Sequence, residues 1–79
     1  MSPTVFRQGA FRFYFFSREE SRMHVHVNGP SGEAKFWMEP LIELAVRHGF
    51  SDREINTIRK IVEENEDRIV EAWREHFEG

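Results

Sequence analysis

Two histidines, His24 and His26, stand two residues apart in the segment MHVHVNG at positions 23–29. Because successive side chains of a β-strand point to opposite faces, this spacing places both imidazoles on one face and the neighbouring valines on the other. Imidazole can coordinate a transition metal, transfer protons near neutral pH, or make hydrogen bonds at a binding surface. Each use requires different neighbours around the pair.

A metal site would need at least a third ligand beside the two histidines. Glu33, on the next predicted strand, is the candidate third ligand, whereas His48 and His76 are expected on other elements. The candidate ligand set is therefore His24, His26 and Glu33, and no cofactor is expected. The chain has no cysteine, which excludes a thiolate metal site and a disulfide.

Acid–base catalysis would need an anchor for the substrate as well as the histidines. In an RNA-cleaving site, His24 and His26 would act as acid and base while Arg12 and Lys35 hold a phosphate. The sequence has no legible Ser-His-Asp or Cys-His arrangement. The balance of these observations is against an enzyme, and RNA cleavage stays the alternative.

Binding of nucleic acid or of a protein would use aromatic and basic side chains near the histidines. Tyr14 and Trp37 could stack on bases, with positive charge from Arg12, Arg18, Arg22 and Lys35. The same residue types, together with Phe16, are enriched at the centres of protein interfaces. An outermost strand could also pair with a strand from another chain. A protein partner or a homo-oligomer is the favoured interpretation.

The elements that position these residues are predicted to be strands in the first half of the chain. Strands are expected at residues 4–8, 10–16, 23–28 and 33–38, separated by a turn at Gln8-Gly9, a polar loop at 17–22 and a turn at 28–32. Residues 41–48 fit either two turns of helix or a fifth strand, and the alternation of Ile42, Leu44 and Val46 favours the strand.

One long helix is predicted over residues 51–77. The segment SDRE at 51–54 is a capping box, in which Ser51 and Glu54 satisfy each other's backbone amides. Apolar residues then recur at helical spacing, at Ile55, Ile58, Val62, Ile69, Trp73 and Phe77. The expected fold is α+β, a small antiparallel meander of four to five strands (residues 4–47) packed on this helix, forming one domain over residues 1–79.

A single helix layer can cover only one face of such a sheet. The apolar face is expected to carry Phe11, Phe13, Phe15, Val25, Val27, Ala34, Phe36 and Met38. The opposite face would then carry the candidate binding residues Arg12, Tyr14, His24, His26, Lys35 and Trp37. Their shared face is the basis for treating them as one site.

Composition and charge exclude some classes of protein to which this chain could belong. The 79 residues include five basic and nine acidic residues after position 50, which argues against nucleic-acid binding by the helix. No apolar run is long enough to span a membrane, and MSPTVFRQGAF lacks the apolar core of a signal peptide. We expect a cytoplasmic protein without membrane contact.

The order of these motifs resembles a known family. FYFFS, then HVHV, then GEAKFW, followed by a capped terminal helix, is similar to domain of unknown function 4160, a family of small prokaryotic proteins. The resemblance implies no activity. It implies a partner, because members are often encoded beside domain of unknown function 2442 in pairs that look like toxin–antitoxin modules. The family's histidine motif falls on His24 and His26. The expected function is thus an interaction or regulatory module.

Overall fold

The alternating segments form five β-strands in a computed structural model that describes residues 4–16 and 21–78. The strands are β1 (Thr4–Gln8), β2 (Phe11–Tyr14), β3 (His24–Gly29), β4 (Gly32–Trp37) and β5 (Glu43–His48). Each strand pairs antiparallel with the next one in the chain, so the sheet order is β1-β2-β3-β4-β5. The predicted α+β meander is confirmed, and the strand interpretation of residues 41–48 is correct.

The turns lie where glycine and proline predict them. Gly9, with φ of 59°, begins the two-residue turn between β1 and β2, a position that suits glycine in a type II′ hairpin. Pro30 and Ser31 connect β3 to β4. Of the predicted polar loop at 17–22, residues 17–20 lie outside the described residues, as does the candidate cation Arg18.

A β-bulge in β5 changes which side chains share a face. Lys35 pairs with Val46 but Phe36 pairs with Leu44, so Ala45 is an extra residue in β5. Simple alternation places Leu44 and Val46 on the same face. The bulge instead turns Leu44 towards the helices and Val46 towards the opposite side.

The predicted single helix is wrong in one respect, because the structure has two helices. α1 (Asp52–Glu64) and α2 (Glu66–Phe77) meet at Asn65, whose backbone leaves helical geometry. The Asn65 side chain donates to the Ile61 carbonyl oxygen at 2.8 Å, and this oxygen also accepts from the Asn65 backbone amide at 3.0 Å. An unbroken helix over 51–77 would be roughly 40 Å long, whereas the longest dimension of the molecule is 35 Å.

The predicted capping box at the start of α1 is present and is joined to the sheet. Glu54 N–H donates to Ser51 Oγ at 3.1 Å, and Ser51 N–H donates to Glu54 Oε1 at 2.9 Å. The Ser31 hydroxyl in the β3–β4 turn donates to Glu54 Oε2 at 2.6 Å. Hydrogen bonds from the Ser31 hydroxyl and then from the Ser51 amide lower the pKa of Glu54.

Both helices cover one face of the sheet, and the core lies between these two layers. The largest fully buried apolar side chains come from β2 and the residue that follows it, from β3 and β4, and from both helices: Phe13, Phe15, Val25, Val27, Phe36, Ile58, Val62 and Ile69. The predicted apolar face is therefore the buried one, although Phe11 is only half-buried. No helix among the described residues is long and apolar enough to cross a membrane.

Candidate functional site

The face of the sheet opposite the helices, called the open face below, carries the predicted binding residues. Strand register aligns Tyr14 with His26, His26 with Lys35, and Lys35 with Val46 in one row across β2 to β5. On one side of this row Arg12 lies level with Asn28, Glu33 and His48, and on the other side His24 lies level with Trp37 and Glu43. The meander thus gathers residues from four strands that are distant in sequence.

A groove of about 290 Å³ runs across the centre of the open face. His26 lies in it, with its ring 5.4 Å from Tyr14 and 4.4 Å from Phe16 between ring centroids. Lys35 and Val46 form part of the opposite wall. The groove therefore has an aromatic side from β2 and β3 and a mixed cationic and aliphatic side from β4 and β5.

The sequence interpretation missed three residues that line this groove, Ala34, Val46 and His48. Ala34 was assigned to the apolar face, and Val46 and His48 come from β5, the segment whose secondary structure the sequence left ambiguous. Alternation alone gives no signal for the face of Val46 because the bulge at Ala45 shifts the register. Glu33, proposed as a metal ligand, is the cross-strand neighbour of His48.

Three cations of the open face are held against aromatic rings. The guanidinium carbon of Arg12 lies 4.5 Å from the Tyr14 ring centroid, and Arg12 Nε donates to Thr4 Oγ1 at 2.7 Å. Over Trp37, the Arg22 guanidinium carbon lies at 4.1 Å and Lys35 Nζ at 4.4 Å. Cation–π attraction orients these charges and occupies ring surface that would otherwise be open to a ligand.

The strand pattern predicted that His24 would lie with His26 on the uncovered face, but the structure buries the His24 side chain. Its side chain is only 1% exposed, with ring centroids 5.5 Å from Trp37 and 5.2 Å from Trp73 of α2. His24 Nδ1 donates to the Arg22 carbonyl oxygen at 2.7 Å. Alternation gives the face of a residue but not what packs at the end of its strand. As the first residue of β3, His24 lies within reach of the helix layer.

The candidate metal ligands are not brought together. Register aligns Glu33 with Asn28, at the far end of β3 from His24. Four residues along a strand span about 13 Å, so one ion cannot bind both Glu33 and His24. Within residues 4–16 and 21–78, no three His, Cys, Asp or Glu side chains are grouped so that they could hold a metal ion.

The fold and the open face define a two-layer α+β domain with a groove lined by aromatic and charged side chains. The chain belongs to the family described as domain of unknown function (DUF4160), whose model matches residues 10–74. This confirms the resemblance found in the sequence. No curated protein and no solved structure matches the chain.

Proposed function

We propose that the chain is a protein-interaction module whose open face binds an acidic segment of a partner protein. The observation that carries this proposal is the pair of exposed apolar side chains on either side of the groove. Phe16 is 43% exposed and Val46 is 40% exposed. Apolar anchors beside a groove, with polar side chains around them, are typical of protein-binding surfaces.

Charge supports an acidic partner. Among the described residues, strand register places three cations and two carboxylates on the open face: Arg7, Arg12 and Lys35, and Glu33 and Glu43. A fourth cation, Arg22, belongs to this face through its contact with Trp37. The chain after residue 50 carries more acidic than basic residues. Electrostatic complementarity would therefore guide an acidic segment to the open face rather than to the helices.

Nucleic acid is less well supported as the ligand. Base stacking needs accessible ring faces, but Tyr14 is buried against His26 and Arg12, and Trp37 is covered by two cations. RNA cleavage by both histidines would need both to reach a substrate, and His24 is buried. We extend the proposal to a toxin–antitoxin-like pair in the cytoplasm, in which the partner is a protein of domain of unknown function 2442, the family that the resemblance implies as a frequent neighbour.

The test is co-expression with the product of a neighbouring gene of domain of unknown function 2442, followed by purification with nuclease treatment. Lys35→Glu reverses a charge in the groove, and Lys60→Glu reverses an exposed charge on α1 as the matched control. We expect a stoichiometric complex for the wild type and Lys60→Glu, and at least a tenfold weaker complex for Lys35→Glu, roughly the effect of opposing like charges.

Equal binding by both variants would refute the open face as the docking surface. A complex that is lost on nuclease treatment would refute a direct protein partner. Circular dichroism of each variant shows whether the fold is retained.

A further inference from the structure

The sheet ends at β5, and its outer edge has no neighbouring strand among residues 4–16 and 21–78. An edge strand presents backbone N–H and C=O groups that can pair with another strand. β5 spans six residues, contains no proline, and is largely solvent-exposed beyond Ala45. These features allow a second strand to be added at this edge.

We propose that β5 pairs antiparallel with β5 of a second copy of this chain, joining two sheets around a twofold axis. The partner at this edge is therefore the same protein. The pairing would give one ten-stranded sheet in which the open faces of the two copies are continuous.

The register of this pairing follows from the faces of the β5 side chains. Pairing with β4 places Glu43, Val46 and His48 on the open face, and Leu44 and Arg47 on the helix face. Residues opposite each other in an antiparallel pair share a face. If Glu43 of one copy lies opposite His48 of the other, then Leu44 lies opposite Arg47 and every pair outside the bulge is matched. A shift of one residue would pair open-face with helix-face side chains.

Polar complementarity, with a carboxylate opposite an imidazole N–H donor, favours the same register. By symmetry, a Glu43 carboxylate faces a His48 imidazole at both ends of the paired strands. Arg47 is already paired with Asp52 of its own chain, and it would lie opposite an apolar side chain. No like charges therefore face each other across the twofold axis.

The other edge of the sheet lacks this complementarity. Arg7 is the only charged residue of β1, so two β1 strands offer no carboxylate to a donor on the opposite strand. Pairing of β5 with β1 of another copy would be head-to-tail, which continues into an open chain of molecules instead of closing. Self-pairing of β5 is thus the closed arrangement that the polar side chains favour.

This pairing would change the surroundings of the groove. His48 lines the groove, so the Glu43 carboxylate of the second copy would lie beside it. Two grooves would then face the same side of one sheet. The dimer does not depend on the acidic partner proposed above, and its test uses this chain alone.

Disulfide capture tests the register directly, because the chain has no cysteine of its own. Two single variants, Glu43→Cys and His48→Cys, are purified separately, mixed in equal amounts and oxidised. In the mixed dimer one end carries the two cysteines and the other end keeps its native Glu43–His48 pair. We expect a covalent dimer of twice 9.5 kDa from the mixture only.

Each variant oxidised alone is the internal control, because two copies of residue 43 would lie about 16 Å apart, five residues along the strand, beyond the reach of a disulfide. Cross-linking of either variant alone would overturn the register. A mixture of Thr4→Cys and Arg7→Cys reports on the other edge, and cross-linking there would overturn the choice of β5.

Sedimentation equilibrium of the unmodified chain gives an independent readout. We expect a concentration-dependent monomer–dimer equilibrium, which Glu43→Lys weakens roughly tenfold by replacing two complementary contacts. The double variant Glu43→Lys/His48→Glu should restore the wild-type dissociation constant. A purely monomeric chain at about 200 µM, a concentration above the affinity range of most specific pairs, together with no cross-link, would refute the proposal.

Discussion

Replacing His24 should cost folding stability, because its side chain is part of the protein interior. His24→Ala removes the hydrogen bond to the Arg22 carbonyl oxygen and the ring contacts with Trp37 and Trp73. A hydrogen bond contributes about 1 kcal/mol and each aromatic contact about 0.5–1.5 kcal/mol. We expect the free energy of unfolding to fall by about 2–4 kcal/mol, which for a domain of this size lowers Tm by roughly 10–25 °C.

Two further variants separate the contributions. His24→Asn keeps a nitrogen donor close to the position of Nδ1 and loses the rest of the ring, so its loss should be smaller by about 1 kcal/mol. His26→Ala removes a half-exposed ring from the groove; its contacts with Tyr14 and Phe16 face solvent and should each contribute less than a buried contact, so we expect a cost of about 1 kcal/mol or less. Urea unfolding followed by circular dichroism measures all three.

Equal urea midpoints for His24→Ala and the wild type would refute the buried position of His24. A loss at His26 as large as the loss at His24 would contradict the distinction between them.

Two other predictions concern the joints between elements. Gly32→Ala would place a Cβ atom against the His48 carbonyl oxygen, so β4 and β5 must separate locally, and we expect a loss of about 2–3 kcal/mol in urea unfolding. The second prediction concerns pH. Hydrogen bonds from Ser31 and then Ser51 lower the pKa of Glu54 below its usual 4.5, so the Glu54 carboxylate binds a proton more tightly in the unfolded chain than in the folded one. The stabilisation is complete above pH 4.5 and is lost as the pH falls through the lower folded-state pKa, so the urea midpoints of wild type and Glu54→Gln should converge in acid.

Each of these has a matched control. Gly9→Ala meets no neighbouring atom and should cost only the left-handed backbone conformation, about 1–2 kcal/mol; a larger loss than at Gly32 would contradict the close approach. Ser31→Ala removes the leading cause of the pKa shift of Glu54. An unchanged pKa of Glu54 in that variant, measured by NMR titration, would refute the assignment.

The sequence alone predicts the elements whose residue pattern depends only on neighbouring residues. The strand at residues 4–8 has the predicted bounds, and the Ser51–Glu54 capping box begins the helical layer as expected. One-sided burial dictates a period of two along β4, and helical burial dictates spacings of three and four in α1. These patterns need no knowledge of the rest of the chain.

The remaining features depend on contacts that no local pattern contains. The break at Asn65 keeps the helical layer within a molecule that is 35 Å long, a dimension that the apolar spacing of the helix does not contain. The bulge at Ala45 reflects how β5 fits β4. The burial of His24 depends on Trp73, which is 49 residues further along the chain. The candidate site was therefore predicted as a face, but its groove and its buried histidine were not.

The order of elements also has a consequence for synthesis. Every strand pairs with its neighbour in sequence, but the helices that cover the sheet are made last. At about 5–20 residues per second, the ribosome completes residues 52–77 roughly 1–5 s after β5. Without residues 52–77, Phe13, Val25 and Phe36 have no cover on the helix side of the sheet. A chain stopped before residue 52 should therefore aggregate.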